Sequence, residues 1–190
     1  MRGLNYVIGV TGVHSIANTA GLNVIRSLKD VTETDIKTIA LDYNPLSSGF
    51  YTDVVDSPYV LTNPYFNSER FNSEVLSLVN RFGLNYLIPT LDFEMPYFCQ
   101  LKMLLSNHGV ITLLPSIDAI KIVNDKGRFH DFCNRERIPH PYTKKPASID
   151  ELEDIAKDIG FPLVLKGYVR GCHIVGDFDE AKVFYKRLEK

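Results

Sequence analysis

The hydrophobic and polar positions of the first 115 residues alternate between short apolar runs and longer stretches of helical spacing. Between the runs, apolar positions recur every three or four residues, which predicts helices. Strands that alternate with helices favour a mostly parallel sheet covered on both faces. We therefore predict a doubly wound, Rossmann-like α/β domain over residues 1–115. Its strands are expected at residues 5–10, 35–41, 54–61, 86–89 and 110–114, and its helices at residues 18–28, 71–82 and 95–107.

Beyond residue 115 the pattern becomes mostly helical, with one pair of short strands. Ser148 is followed by two acidic residues at the start of an apolar-periodic stretch, which is typical of a helix N-cap. We predict a smaller α+β unit over residues 116–190. Its helices are expected from residue 116, over residues 124–135, 148–160 and 177–190, and its strand pair over residues 161–166 and 172–175.

Composition and charge narrow the classes of protein that this chain can represent. The 190 residues are 45% hydrophobic and 23% charged, which is typical of a globular protein and not of a disordered one. A net charge of −2 provides no strong positive field for a phosphate backbone, so nucleic acid is not expected as a partner. No apolar run approaches the roughly 20 residues that a membrane span needs, so no membrane partner is expected either. Three widely spaced cysteines argue against a disulfide framework, and we expect a cytoplasmic protein with reduced thiols.

Two groups of residues at predicted strand ends could serve chemistry or structure. Gly9 and Gly12 separate the first strand from the first helix without the GxGxxG spacing of a dinucleotide site, and Asp42 ends the second strand. The favoured interpretation is that the glycines allow close packing and that Asp42 caps a turn. Asp92 and Glu94 follow a later strand and could bind a metal or a cationic group, although capping of the next helix is favoured.

Two lysines are the strongest candidates for ligand binding. Lys126 lies in the first turn of a predicted helix, and Lys166 ends the apolar run Leu163–Leu165. An unpaired ammonium is costly to bury, so Lys166 should meet an anion or reach solvent. Two cations presented by separate elements suit a polyphosphate, whereas the alternative is that both are surface charges. The histidines show no metal-ligand spacing, and no residue is assigned to a metal.

A resemblance to a known superfamily covers nearly the whole chain. It is carried by the Asp-Lys pair at residues 125–126, by Phe129, by the Ile-Pro-x-Pro motif at residues 138–141, and by Gly-Phe-Pro-Leu-Val-Leu-Lys at residues 160–166. These motifs resemble, in order and spacing, the opening of an ATP-grasp domain. Residues 87–94, Leu-Ile-Pro-Thr-Leu-Asp-Phe-Glu, resemble the strand-end signature of the domain that precedes it. Within this superfamily, the chain resembles the large subunit of carbamoyl-phosphate synthase and its relatives.

The resemblance implies a function and a division of the chain. Residues 1–115 would be a pre-ATP-grasp domain and residues 116–190 the truncated N-terminal part of an ATP-grasp domain. The enzyme would be an ATP-dependent ligase that forms an acyl phosphate from a carboxylate or bicarbonate for attack by an amine. Lys126 and Lys166 would contact ATP, and the Mg²⁺ ligands and adenine hinge would lie in a missing C-terminal half. The chain is therefore expected to be a fragment that is inactive alone.

One departure and two rival functions accompany this prediction. The segment after Lys166 is short and poor in glycine for this superfamily, which suggests a divergent branch. A non-catalytic small-molecule-binding or assembly module is the alternative function. A nucleotide-dependent oxidoreductase is disfavoured by the glycine spacing. The last helix should expose an apolar face, through which copies of the chain could form a homo-oligomer. The residues of that face are Phe178, Ala181, Phe184 and Leu188.

Overall fold

The structure is a computed structural model that describes residues 5–14, 20–167 and 171–188. The chain divides into two compact units, Met1–Ile117 and Asp118–Lys190. The predicted helix start at Asn18, the loop residues 168–170 and the helix end at Lys190 lie outside the described residues. Within the described ranges, no helix combines the length and apolar character needed to cross a membrane.

The described part of the first unit alternates strands with helices, as predicted. Asn67 caps the second helix by accepting a hydrogen bond from the backbone N–H of Arg70 at 3.0 Å, and Gly83 ends that helix in the left-handed conformation. The elements are β1 (Asn5–Thr11), α1 (Gly21–Lys29), β2 (Asp35–Asp42), a 3-10 helix (Ser48–Tyr51), β3 (Ser57–Val60), α2 (Ser68–Phe82), β4 (Tyr86–Ile88), α3 (Met95–Asn107) and β5 (Ile111–Thr112).

The five strands form one parallel sheet in the order β3-β2-β1-β4-β5. In the register of the central pair, Asn5 lies opposite Asp35 and Thr11 lies opposite Leu41. The chain builds outward from β1 to β3 and then crosses to β4 on the other side. This reversal is the doubly wound topology, and it places a crevice at the carboxyl ends of β1 and β4. The predicted fold class is confirmed.

Helices cover both faces of the sheet because side chains of alternate strand residues point to opposite sides. Ile39 and Leu41 of β2 belong to a cluster with α2 and α3, in which Phe71 and Phe98 have no exposed surface. Ala40, between them in sequence, belongs to a second cluster with α1 on the other face. The near-continuous apolar runs of the sequence therefore correspond to strands buried on both faces.

The second unit is a small α+β arrangement, which also agrees with the prediction. Its strands pair in antiparallel register, with Lys166 opposite Cys172. The predicted N-cap at Ser148 is confirmed, because its hydroxyl accepts a hydrogen bond from the N–H of Glu151 at 3.1 Å. The elements are α4 (Ile117–Asn124), which spans the boundary, then α5 (Lys126–Arg135), α6 (Ile149–Ile159), β6 (Leu163–Lys166), β7 (Cys172–Val175) and α7 (Phe178–Leu188).

The prediction of an exposed apolar face on α7 is wrong. Ala181 has no exposed surface, and Phe178 and Phe184 pack with it in one hydrophobic cluster. The cluster also contains Leu152 of α6, so the apolar stripe of α7 is used inside the unit. A stripe of helical period shows that a face is buried, but the sequence does not show by what. The homo-oligomer predicted from this face stays a prediction.

Candidate functional site

Asp42, at the end of β2, organises the turn that follows it. One carboxylate oxygen accepts hydrogen bonds from the backbone N–H groups of Tyr43 at 2.8 Å and Asn44 at 3.2 Å. The other accepts from the backbone N–H of His14 and the hydroxyl of Ser47, both at 3.1 Å. The residue is only 6% exposed. The favoured interpretation of Asp42 as a turn cap is therefore confirmed.

Glu94, which directly precedes α3, is the buried centre of a hydrogen-bond network at the carboxyl ends of β1 and β4. Its carboxylate accepts hydrogen bonds from the hydroxyls of Thr11 and Tyr43 and from the backbone N–H groups of Thr90 and Leu91, the last two at 3.0 Å. It has no exposed surface and makes no side-chain cap bond to α3. Glu94 therefore occupies the N-cap position of α3, as the favoured interpretation has it, but its side chain binds this network and does not cap the helix.

The metal alternative for Asp92 and Glu94 finds no support in the geometry. Asp92 is exposed while Glu94 is fully buried, so the two carboxylates do not converge. Across the described ranges, no group of three or more histidine, cysteine, aspartate or glutamate residues could hold a metal ion. Thr11 and Tyr43 could not be linked to Glu94 from the sequence, because neither lies near it along the chain; Tyr43 is 51 residues away.

The electrostatics of this network follow from burial. Burial raises the pKa of Glu94, although its four hydrogen bonds act in the opposite direction. Burial also raises the pKa of Tyr43, and the neighbouring Glu94 carboxylate adds to that rise. The Tyr43 hydroxyl therefore keeps its proton and remains a donor. The network ties three chain segments together and has the character of a structural element.

Gly12 serves close packing at the same crevice, in agreement with the favoured interpretation. Its φ is +66°, a conformation that residues with a side chain rarely adopt. A Cβ atom at this position would lie 2.5 Å from Oγ1 of Thr90 and 2.9 Å from Cδ2 of Leu91. Thr90 in turn donates its hydroxyl hydrogen to the carbonyl of Thr11 at 2.8 Å. A side chain here would push the loop after β4 away from the loop after β1.

The two predicted lysines lie close together in the second unit. Asp125 caps α5 by accepting hydrogen bonds from the backbone N–H groups of Gly127 at 2.9 Å and Arg128 at 3.1 Å. This cap fixes the first turn, in which Lys126 lies. The Lys126 ammonium donates a hydrogen bond to the carbonyl of Gly167 at 2.9 Å. Lys126 thus contacts the residue that directly follows Lys166 in the chain.

Lys166 ends β6 and reaches solvent, which is one of the two outcomes expected for it. Gly167 donates its backbone N–H to the carbonyl of Gly171 at 2.9 Å, which closes the segment after the lysine. Residues 168–170 of this segment lie outside the described residues. The backbone that carries each lysine is therefore fixed. A helix cap fixes the first turn of α5 at Lys126, and strand pairing fixes the end of β6 at Lys166.

Both lysines line a cleft of about 1290 Å³ within the second unit. Its walls come from α5, the loop before α6, α6 itself and β6. Lys144 and Lys145 also line the cleft. Among the described residues, the lining therefore contains four lysines and two acidic residues, Asp125 and Asp131. Asp125 is already engaged as the helix cap and in an ion pair with Arg128 at 3.7 Å. The cleft therefore carries an excess of positive charge, which favours an anionic ligand.

Comparison with known proteins identifies relatives of the chain. The large chain of carbamoyl phosphate synthase from one strain of Thermus thermophilus is 29% identical over 167 residues. The match covers 82% of this chain and 16% of the relative, so the chain spans about one sixth of that relative's length. No profile of a protein family matches the chain.

Solved structures show the same fold. The biotin carboxylase domain of Hydrogenobacter thermophilus 2-oxoglutarate carboxylase, solved with MgADP, ADP and bicarbonate, superposes with a TM-score of 0.60 at 22% identity. An L-amino acid ligase from Bacillus licheniformis superposes with a TM-score of 0.64 at 14% identity. These matches cover 97% and 100% of this chain, and 40% and 43% of the solved chains. The homologues are carbamoyl phosphate synthase large chains and biotin carboxylase-like ATP-grasp proteins, so the resemblance found in the sequence is confirmed.

Proposed function

We propose that this chain is part of an ATP-dependent ligase of the ATP-grasp type, in which Lys126 and Lys166 bind the phosphates of ATP. The observation that carries the proposal is the hydrogen bond from Lys126 to the carbonyl of Gly167, the residue next to Lys166, in a cleft of about 1290 Å³ that both lysines line. Separate elements that present two cations to one space suit a ligand with several negative charges. The relationship to carbamoyl phosphate synthase large chains supports ATP as that ligand.

The two lysines would offset the negative charge of the ATP phosphates and hold those phosphates in position. The phosphoryl group that ATP supplies would activate a carboxylate or bicarbonate as an acyl phosphate, which an amine then attacks. Negative charge accumulates on the phosphate oxygens during such a transfer, and fixed cations lower its cost. Lys166, as an exposed ammonium at a strand end, would contact the phosphates directly. Lys126 would do so while holding the backbone beside Lys166 through Gly167.

The two units would have different roles in this enzyme. We propose that Met1–Ile117 is the pre-ATP-grasp domain and that Asp118–Lys190 belongs to the ATP-grasp domain, as the resemblance implies. The described residues offer no acidic cluster that fits Mg²⁺, so none of them is assigned to this ion. We therefore expect the 190-residue chain alone to lack ligase turnover and to bind ATP weakly.

The first experiment is to purify from native cells the polypeptide that carries this sequence and to measure its intact mass. ADP formation is then measured with bicarbonate or a carboxylate, with and without an amine. Lys166→Ala should abolish turnover, and Lys126→Ala should lower it at least tenfold. Lys121→Ala is the matched control, because Lys121 is an exposed lysine on α4 that does not line the cleft.

The outcomes separate the ligase from the non-catalytic alternative. Full turnover in Lys166→Ala would remove this residue from the ATP site. A native polypeptide with no ATP turnover under any acceptor condition would overturn the ligase proposal and favour a small-molecule-binding or assembly module. Ligase turnover by the 190-residue chain alone would contradict the expectation that this chain is inactive by itself.

A further inference from the structure

Two histidines of the second unit lie with their rings in contact at the wall of the lysine-lined cleft. His130 lies on α5 and His140 lies in the loop that follows it, and both line the cleft. Their ring centroids are 4.6 Å apart, with an interplanar angle of 70°. No local sequence pattern indicates this pair, because metal-ligand patterns place histidines one helical turn or a few residues apart. The loop after α5 brings into contact two histidines that lie further apart in the sequence than such patterns place them.

The hydrogen bonds of each ring leave one nitrogen available. Nδ1 of His140 lies 2.8 Å from the carbonyl of Ile138, which can only accept, so this nitrogen carries the hydrogen and Nε2 keeps a lone pair. Nε2 of His130 lies 3.0 Å from Nδ2 of the Asn134 side-chain amide. Nδ1 of His130 is buried and has no hydrogen-bond partner among the described residues. A buried polar atom without a partner is uncommon and often marks the place of an ion or a water molecule.

We propose that Nδ1 of His130 and Nε2 of His140 bind one divalent transition-metal ion of the Ni²⁺, Cu²⁺ and Zn²⁺ group. Neutral imidazole is a preferred ligand of these ions. Two imidazoles bound at about 2.0 Å to one ion have ring centroids roughly 4.5 to 5.2 Å apart, for ligand angles from square to tetrahedral. The observed separation of 4.6 Å lies in this range. The ion explains the otherwise unsatisfied nitrogen of His130.

The surroundings of both rings fit this role. A histidine that binds a metal usually donates its other N–H to an oxygen atom, which fixes the ring. The Ile138 carbonyl already does this for His140. The side-chain oxygen of Asn134 accepts the N–H of His130 in the same way when the amide is turned so that its oxygen faces Nε2. The two amide orientations differ only by exchange of O and N. With two protein ligands, the remaining positions face the cleft and take water or an anion drawn in by its lysines.

The test is a Zn²⁺ titration of the 190-residue chain without any purification tag, by competition with a chromophoric chelator. We expect one ion per chain and at least a tenfold loss of affinity in His130→Ala and in His140→Ala. His108→Ala is the matched control, because Nδ1 of His108 also bonds to a carbonyl, that of Leu104 at 2.9 Å, and the ring is exposed on the other unit. Cu²⁺ bound to the wild-type chain should show two nitrogen ligands by electron paramagnetic resonance.

Several results would overturn the site. Equal Zn²⁺ affinity in wild type and His140→Ala would do so, and since His140 lies outside the helices and strands this variant should fold. Loss of binding in Cys172→Ser with retention in both histidine variants would place the ion on the exposed thiol of Cys172. Circular dichroism of each variant tests whether it is folded. Zn²⁺ affinity is measured without ATP turnover, so failure of the ligase proposal would leave the metal-site proposal standing.

Discussion

The hydroxyl of Tyr43 donates a hydrogen bond to the carboxylate of Glu94, and this bond ties the residue after β2 to the residue before α3. Glu94 has no exposed surface, so its charge is separated from water. A buried carboxylate is tolerated only with several donors, and this one has four. Glu94 therefore joins the strand ends of the first unit, and its protonation differs between the folded and the unfolded chain.

Replacement of Glu94 by Gln should alter the pH dependence of stability. Because burial raises the pKa of Glu94, the folded chain holds a proton that the unfolded chain releases near 4.5. The stability of the wild type relative to Glu94→Gln should therefore decrease as pH rises above 4.5. At pH 4, where the carboxyl carries a proton in the folded chain, Glu94→Gln should change the free energy of unfolding little, because the protonated carboxyl and the amide each keep one acceptor oxygen and one donor group.

This comparison is measured by urea unfolding followed by far-ultraviolet circular dichroism, since the chain contains no tryptophan. Each protein is titrated from pH 4 upward in the same buffers. Parallel stability profiles of the two proteins would show that Glu94 does not titrate differently in the folded and unfolded states.

Substitution of Gly12 should be far more costly than substitution of a glycine with the same backbone conformation in open space. Gly83 has a φ of +64°, close to the +66° of Gly12, but a Cβ there would meet no atom of the described residues within 4 Å. Gly83→Ala should therefore cost about 1–2 kcal/mol from the backbone alone. Gly12→Ala should cost at least about 2 kcal/mol more, because its Cβ would overlap Thr90 and Leu91. Equal urea midpoints for the two variants would contradict the close packing at this crevice.

Glu74 of α2 should stabilise the segment that follows β3. Its carboxylate accepts hydrogen bonds from the backbone N–H and hydroxyl of Thr62 at 2.6 and 2.9 Å, and from Arg70 at 2.8 Å. Partial burial acts to raise the pKa of Glu74, but the bonds from Thr62 and Arg70 outweigh it and lower the pKa. Glu74→Ala should cost about 1–3 kcal/mol at pH 7.

The sign of the pH effect at Glu74 is opposite to that at Glu94. A lowered pKa contributes stability that is present above the ordinary value of 4.5 and is lost as pH falls below it. The difference between wild type and Glu74→Ala should therefore shrink in acid. Glu33→Ala, at an exposed position, is the control and should change stability by less than about 0.5 kcal/mol. A Glu74→Ala deficit that stays constant down to pH 3 would count against this assignment.

The packing of α7 can be tested by adding volume to its buried stripe. Ala181 has no exposed surface, so Ala181→Leu should overpack the second unit and cost about 1–3 kcal/mol. Val183→Leu on the same helix is the control, because Val183 is 50% exposed and has room for the larger side chain. Hydrogen exchange of α6 and β6 should increase in the first variant only. Unchanged exchange in Ala181→Leu would indicate that the stripe is not packed.

The sequence by itself determined the fold class and most element boundaries, because these depend on local patterns. Apolar runs of about four to eight residues and helical periodicity reflect burial that each element needs wherever it packs. Ser148 could be assigned as a helix cap for the same reason, since its partner Glu151 is three residues away. The assignment of Lys126 and Lys166 to an ATP site stays a prediction, which rests on their residue chemistry and on short motifs that resemble a known superfamily.

Only the tertiary structure decided which residues that are distant in the sequence contact one another. The partners of Glu94 come from β1, from the end of β2 and from the loop after β4, and no local spacing links them. The same holds for the ring contact of His130 with His140 and for the bond from Lys126 to Gly167. An apolar stripe such as that of α7 shows that a face must be buried, but its partner is chosen by the packing of the whole unit. Side-chain chemistry is local in sequence, whereas distance and burial, which set pKa and ligand geometry, arise only when the chain folds.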